Sequence, residues 1–362
     1  MTPMFGLFNR KKDYEAVING QTTVTVKAGQ NLLAAALDAG LDWLHDCRAG
    51  SCSTCRCYLK KGRIKPLSDF TYVLTGQQLK DGVILACQTA LKSDVEVEVM
   101  LGQGRFVVPA VERRSTLTSV RNLTHDILEL VVTCDEPMPD GLLAGQYAEV
   151  NYPGLTRPRS YSFSRDPADE NPSELTFFVR HVPGGKFTDW LFEADRTGSR
   201  LRIKAPFGNF RLHEDSGPMI CIAGGSGISA IKAILEHACN LSVARDAYFF
   251  FGARAQRDLY CRDEMREIAD KWNQNHVFEF VEVLSDEPEG SDWAGPRGFV
   301  TDYLRTSYIE NKRLDLAGCQ GYLCGPPPMI DAGIKLLTES GMPGERIFYD
   351  KFLDASTMPG GR

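Results

Sequence analysis

Four cysteines constrain this 362-residue chain more than any other feature. Cys47, Cys52 and Cys55 are spaced C-x4-C-x2-C in DCRAGSCSTCRCYLKKG, and Cys87 follows in VILACQT. Such spacing brings three thiolates onto one [2Fe–2S] cluster and takes the fourth from elsewhere in the chain. The loop must close tightly around a small cluster, and Ala49, Gly50 and Ser51 let its amides approach the sulfurs. The fourth thiolate is expected from a distant strand. Structural zinc, the rival reading, usually takes two separated C-x2–4-C knuckles, and Cys87 has no nearby cysteine to complete one. Cys57 lies two residues past Cys55 in the apparent strand CRCYL, on the same face. It could compete as a ligand; the spacing selects Cys55 and leaves Cys57 as a buried neighbouring thiol.

Composition narrows the setting. A net charge of −6 excludes a general nucleic-acid binder, since no basic excess exists to neutralise phosphates. No apolar run approaches the roughly 20 residues that span a bilayer. The start, MTPMFGLFNRKK, has too short an apolar stretch for a secretory signal, with basic residues on its wrong side. The default compartment is therefore cytoplasmic, where eleven cysteines, an odd number, read as ligands and core thiols rather than disulfides. Met4, Phe5, Leu7 and Phe8 ahead of three basic residues have the composition of a short interfacial anchor. A plain flexible start is the preferred reading, because one short apolar patch binds membranes only marginally.

The chain changes character twice. YEAVI and TTVTVKA read as a hairpin about NGQ, NLLAAALDAG as a short helix ended by Gly40, and DVEVEV as a closing strand. Residues 114–214 carry alternating segments such as ILELVVT, YAEVNY, LTFFVR and RLRIKA, broken by Gly, Pro and Asp: a small antiparallel barrel or sandwich. From 218 on, apolar runs alternate with helical patterns, which implies a parallel sheet with crossovers.

Chemistry-bearing motifs sit in both later regions. RPRSYSFS, residues 157–164, is a strand loaded with polar groups. In FVRHVPGGKFTDWL, Gly184 and Gly185 precede an apolar helix start, where an anion can approach exposed amides and Thr188 can cap or donate. CIAGGSGISAIKAIL is a strand, a Gly-rich turn and a helix, placed where parallel sheets bind phosphates, although it is not the literal G-x-G-x-x-G. YLCGPPPM ends another strand.

With four motifs in this order, residues 13–353 resemble a flavin oxidoreductase of the ferredoxin–NADP reductase superfamily with a plant-type ferredoxin fused at its N-terminus. That order is typical of the reductase components of bacterial multicomponent oxygenases, Rieske-type or diiron. The resemblance implies a multidomain α+β chain: a β-grasp ferredoxin domain (13–101), an antiparallel β-barrel FAD domain (114–214) and an α/β parallel-sheet NAD(P)H domain (215–353). A flexible segment (1–12), a linker (102–113) and a frayed tail (354–362) complete it. It further implies that Arg159 binds the flavin phosphates, Tyr161 stacks beside the isoalloxazine and Ser162 hydrogen-bonds its N5 edge. Gly184, Gly185 and Thr188 would hold the pyrophosphate, Gly224, Gly225 and Gly227 would face the nicotinamide dinucleotide, and Cys324 would sit near the nicotinamide. Asp350 and Phe352 match the family's C-terminal acidic and aromatic positions, and Ser162, Cys324 and Asp350 form the implied catalytic set.

The implied function is electron transfer from NAD(P)H through FAD and the [2Fe–2S] cluster to a terminal oxygenase or hydroxylase that docks at the ferredoxin domain. Its rivals are a stand-alone NAD(P)H:acceptor reductase (ferric or ferredoxin) and a flavin/iron–sulfur redox sensor. Arg254, Arg257 and Arg262 beside Asp258 leave both nicotinamide cofactors open; the resemblance tilts the reading to NADH. Residues 1–101 hold 12 basic and 10 acidic residues, and Arg48, Arg56, Lys60, Lys61, Arg63 and Lys65 crowd the cysteine loop. A basic docking rim is the expectation.

Overall fold

The computed structural model describes residues 12–45, 48, 50, 54–102, 108–168 and 171–352, and the chain divides into two compact units, 1–109 and 110–362. In the first unit, β1 (Tyr14–Ile18) and β2 (Thr22–Val26) form the expected hairpin. Asn19 and Gly20 reverse the chain with φ of 53° and 67°, a backbone that Asn and Gly adopt at least cost. The helix α1 (Leu32–Asp38) begins where the Asn31 side chain accepts the Ala34 amide at 2.8 Å. There follow β3 (Arg56–Lys61), β4 (Ile64–Pro66), α2 (Gly76–Lys80), β5 (Val83–Leu85), β6 (Thr89–Leu91) and β7 (Val95–Glu98). One sheet runs β2-β1-β7-β3-β5, with β7 parallel to β1 and antiparallel to β3; β4 and β6 pair separately. Leu32, Leu33 and Ala36 of α1 pack with Ile18, Val24 and Val97, and this core also takes in Cys55, Cys57 and Cys87.

The second unit opens with β8 (Val111–Asn122), β9 (Ile127–Cys134), β10 (Tyr147–Asn151), β11 (Arg159–Ser162), β12 (Glu174–Arg180), α3 (Lys186–Glu193) and β13 (Arg200–Phe207). These strands make an antiparallel sheet in the order β11-β10-β13-β8-β9-β12. Its two edges meet where Phe163 bridges Phe177 and the Ser164 amide donates to the Thr176 carbonyl at 2.9 Å, so the sheet is nearly closed. Closure removes the exposed edges an open sheet would present.

Five parallel strands follow: β14 (Met219–Gly224), β15 (Ala247–Ala253), β16 (Phe278–Leu284), β17 (Gln320–Gly325) and β18 (Ile347–Lys351), in the order β16-β15-β14-β17-β18. The helices α4 (Ile228–Asn240), α5 (Arg262–Lys271), α6 (Val300–Leu304) and α7 (Pro327–Glu339) connect them. Every residue of β14 and of β17 is buried, as expected of parallel strands covered on both faces. The chain runs outward from β14 through β15 to β16, then returns to place β17 on the other side of β14. This reversal opens a crevice at the carboxyl ends of β14 and β17.

Candidate functional site

In the first unit the sequence nominates Cys47, Cys52, Cys55 and Cys87. Cys47 and Cys52 lie outside the described residues, as do Met4, Phe5, Leu7 and Phe8. Cys55 sits in the turn leading into β3, and pairing of Arg56 with Leu85 carries that turn to the end of β5. There the Ala86 amide donates to the Cys55 carbonyl at 3.2 Å, one residue before Cys87. Cys87 occupies a short 3-10 turn, Ala86–Gln88, and not a strand as expected; the turn bends the chain between β5 and β6. Both thiols are buried.

Gln88, which the sequence reading passed over, pins the cysteine loop to this turn. Its Nε2 donates to the Arg48 carbonyl at 3.2 Å. A Cβ on Gly50 (φ 84°) would come within 2.6 Å of Gln88 Cγ and 3.2 Å of Ser68 Oγ. Buried thiols on two adjoining turns, with Arg48 and Gly50 held against one of them, fit a small sulfur-ligated cluster. Cys57 is buried on β3, and its surroundings, with Cys55 nearby, raise its thiol pKa. Burial lowers the His45 imidazole to about 4, and its Nδ1 pairs with the Trp43 carbonyl at 2.8 Å.

In the second unit the nominated residues of three distant segments converge. Ser162, last in β11, donates its hydroxyl to Asp350 of β18 at 3.4 Å. Asp350 is in register with Cys324 of β17, a fully buried thiol whose pKa is raised by burial and then by that carboxylate. The Phe352 amide donates to the Gly325 carbonyl at 2.8 Å, and its ring is half-buried. The G-G-S-G turn closes onto the same place: a Cβ on Gly227 would lie 2.2 Å from the Cys324 carbonyl oxygen. Because that obstacle is backbone in a buried strand, Gly227→Ala must push turn and strand apart. It is expected to weaken NADH binding by at least about tenfold and to lower the melting temperature, read by equilibrium titration and calorimetry.

Beside this turn runs a groove of about 200 Å³, lined among others by Gly224, Gly225, Arg180, Arg254, Phe299 and Met329. Arg180 ends β12 and is held by Asp126 at 3.0 Å. Of the three candidate arginines, Arg262 is committed elsewhere: it forks onto Glu282 at 2.7 Å and lies over Trp293. Asp258 accepts the Ala255 amide at 2.9 Å, while Arg254 and Arg257 are exposed.

Around the first turn of α3, Tyr161 packs on Phe187 at 5.6 Å and Tyr152 stacks on Trp190 at 4.4 Å. Arg159 is exposed, and its Nη1 donates to the Arg157 and Pro158 carbonyls at 2.9 and 3.2 Å. Gly184 has φ 79°, and Gly185 is the N-cap of α3. Of the two expected roles, capping and donating, Thr188 does not take the first: Gly185 is the N-cap, without a side-chain cap bond. Thr188 lies inside α3, where its hydroxyl accepts the Val182 amide at 3.2 Å and donates to the Val182 carbonyl at 2.9 Å. It therefore closes the loop that presents the two glycines. Thr188→Val would take the hydroxyl partner from the part-buried Val182 amide, while the Val182 carbonyl keeps the Gly185 amide at 2.8 Å. The expected cost is about 1 kcal/mol with poorer FAD retention, read by thermal unfolding and by flavin content after gel filtration.

Three domain families match in chain order: a 2Fe-2S iron–sulfur cluster binding domain over residues 16–92, an oxidoreductase FAD-binding domain over 114–212 and an oxidoreductase NAD-binding domain over 221–334. The chain is 40% identical over 348 residues to the xylene/toluene monooxygenase electron transfer component XylA of Pseudomonas putida, covering 96% of each chain. It is 34% identical over 346 residues to the aromatic O-demethylase reductase subunit of an Amycolatopsis species, covering 94% of this chain and 99% of that one. Among solved structures, the Amycolatopsis cytochrome P450 reductase GcoB superposes with a TM-score of 0.80 at 32% identity, over 94% of this chain and 98% of that one.

Proposed function

The chain belongs to the family of electron-transfer reductase components of multicomponent oxygenases, and from that premise we propose how its own residues divide the work. Electrons pass from NAD(P)H through FAD and a [2Fe–2S] cluster to a terminal oxygenase. The flavin is needed because a nicotinamide gives two electrons together and the cluster takes one at a time.

The convergence of Ser162, Asp350 and Cys324 beside the G-G-S-G turn carries the assignment. Asp350, which accepts the Ser162 hydroxyl at a long 3.4 Å, holds that hydroxyl in place, and with flavin bound its one proton would turn from the carboxylate to the N5 edge. Cys324 supports the nicotinamide side, and Phe352 covers the flavin. Arg159 and the Gly184–Gly185 turn, closed by Thr188, take the flavin phosphates; Tyr161 flanks the ring. Gly224, Gly225 and Gly227 receive the nicotinamide dinucleotide, and Arg180, fixed by Asp126 at 3.0 Å, offers its remaining guanidinium N–H groups to that groove. Cys47, Cys52, Cys55 and Cys87 hold the cluster. NADH is the favoured donor on the family resemblance; Arg262 is held by Glu282, and Arg254 and Arg257 remain as the groups a 2′-phosphate would use.

The proposed domains are a β-grasp ferredoxin domain (13–101), a β-barrel flavin domain and an α/β nicotinamide domain (215–353). The flavin domain is proposed at 114–214, and its first strand, β8, already begins at Val111 within the expected linker. XylA, by its name, serves a xylene/toluene monooxygenase; a hydrocarbon oxygenase is the partner class that relative supports. Among the described residues no helix is long and apolar enough to cross a membrane; the cytoplasm is the proposed compartment.

The test is an anaerobic titration of FAD- and iron–sulfur-loaded protein with NADH. Flavin absorbance should bleach and the cluster EPR signal should then rise, with oxygenase turnover on adding the partner. Flavin that NADH does not bleach would overturn the reading.

We place the docking face on the ferredoxin domain, with a narrower basic rim than the sequence implied. Lys60 pairs with Glu98 and Lys61 with Glu96, each at 2.8 Å, which largely cancels their charge. Arg56, Arg63 and Lys65 are exposed with no ion-pair partner among the described residues. Lys65 lies on β4, whose partner β6 directly follows the Cys87 turn. Reversing Arg63 and Lys65 to Glu is expected to slow electron delivery to the oxygenase several-fold at low salt, with flavin reduction unchanged. At 0.1 M salt and above the gap should shrink, since exposed charges are screened over about 10 Å. Delivery rates equal to those of the unaltered protein would make this rim ordinary surface.

A further inference from the structure

Behind the flavin motif, the segment after Ser162 is tied to α4 by a buried cluster of charges. Lys232, 3% exposed, donates from Nζ to the Ser164 carbonyl at 3.0 Å and to the Glu236 carboxylate. Glu236 in turn accepts the Asp166 amide at 3.1 Å. Asp166, 2% exposed, pairs with His237 Nδ1 at 2.8 Å and Asn240 Nδ2 at 3.3 Å. Thus Ser164 and Asp166 are gripped by four residues spread along two turns of one helix. That helix starts at the G-G-S-G turn, and the gripped segment starts two residues after Ser162.

The rest of the contact between barrel and helix is different in kind. Ala144, Phe178 and Phe210 of the barrel share an apolar core with Ile231 and Ile234 of α4. Apolar contact is non-directional and lets two surfaces slide at little cost. Beside the cluster the seam opens into a polar crevice of about 780 Å³, so packing does not hold that side. Hydrogen bonds from buried charges are directional, and this geometry suits them to setting a register.

We infer that Lys232, seated by Glu236, which the Asp166 amide holds in turn, is a positioning residue for hydride transfer. It locks the helix that carries the nicotinamide turn to the strand end that carries Ser162. The inference rests on the reductase reading above. Small misplacements at a hydride-transfer site have large effects on rate: about 1 Å can cost on the order of 100-fold.

The test uses the full-length, FAD-loaded chain in anaerobic stopped-flow with NADH and with C4-deuterated NADH. Lys232→Met keeps the length and apolar packing of the stem but removes the ammonium. It is expected to retain FAD, to slow flavin bleaching by about tenfold or more, and to change the deuterium isotope effect. Affinity for ADP-ribose, which lacks the nicotinamide, should stay within about twofold, since the glycine turn itself is untouched. Glu236→Gln, which keeps a partner for Lys232 without the charge, should show the same pattern at a few-fold size. If Lys232→Met loses its FAD, Glu236→Gln decides alone. Rates and isotope effects equal to those of the unaltered protein would overturn the inference. So would a loss of ADP-ribose affinity as large as the loss of rate, which would mark a purely structural role. Failure of NADH to bleach the unaltered protein would instead strike the reductase reading itself.

Discussion

Cys87→Ser is expected to erase the visible and EPR signals of the cluster and to cut electron delivery to the oxygenase by about 100-fold or more. Removing a partner of a metal ligand already costs about 10–100-fold, and here a ligand itself is lost. NADH should bleach the flavin at the unaltered rate, because the flavin and nicotinamide segments belong to the unit of residues 110–362, which contains none of the four ligands. Anaerobic stopped-flow, with flavin and cluster followed at separate wavelengths, resolves the two steps. The same outcome is expected at Cys47, Cys52 and Cys55. Cys57→Ser is the internal control. Its thiol is buried in β3 beside Cys55 and Cys87, and its loss should cost some stability and leave the EPR signal intact. Cluster loss in Cys57→Ser with retention in Cys55→Ser would reverse the ligand assignment.

Ser162→Ala should leave FAD bound and slow hydride transfer by about 100-fold, the usual cost of removing one donor aimed at a reacting atom. The loss should fall on the maximal rate of flavin bleaching and spare the dissociation constant for NADH, because neither the glycine turn nor Arg180 is disturbed. Asp350→Asn still accepts the Ser162 hydroxyl but orients it less strongly. It should show a smaller loss of the same kind, and combining the two should add little beyond Ser162→Ala alone. Full additivity in that double variant would mean that Asp350 acts independently of Ser162.

Much of this was legible in the chain because the signals are local. An N-G turn, a helical run stopped by a glycine, and alternating or continuous apolar runs each act over a few residues, and β1, β2, α1 and β14 form where those signals stand. The cysteine spacing belongs to the same class. So do the glycines of the G-G-S-G turn, since the close approach they permit recurs wherever the motif does. What the sequence could not show was which distant groups meet. Ser162 and Asp350 are 188 residues apart, and only near-closure of the barrel and the return of β18 beside β17 bring them together. Arg262 and Asp258 read as opposite signals, for and against a 2′-phosphate, and only the fold shows Glu282 and the Ala255 amide engaging them. Thr188 read as a helix cap or an anion donor, and only the fold shows its hydroxyl bonded to both backbone groups of Val182. Lys232 gave no signal at all, since a lysine in an amphipathic helix is ordinarily a solvated one. A side chain's residue type sets which bonds it can make, but its partner is whichever group the packed fold brings within about 3 Å, and that is a property of the whole structure.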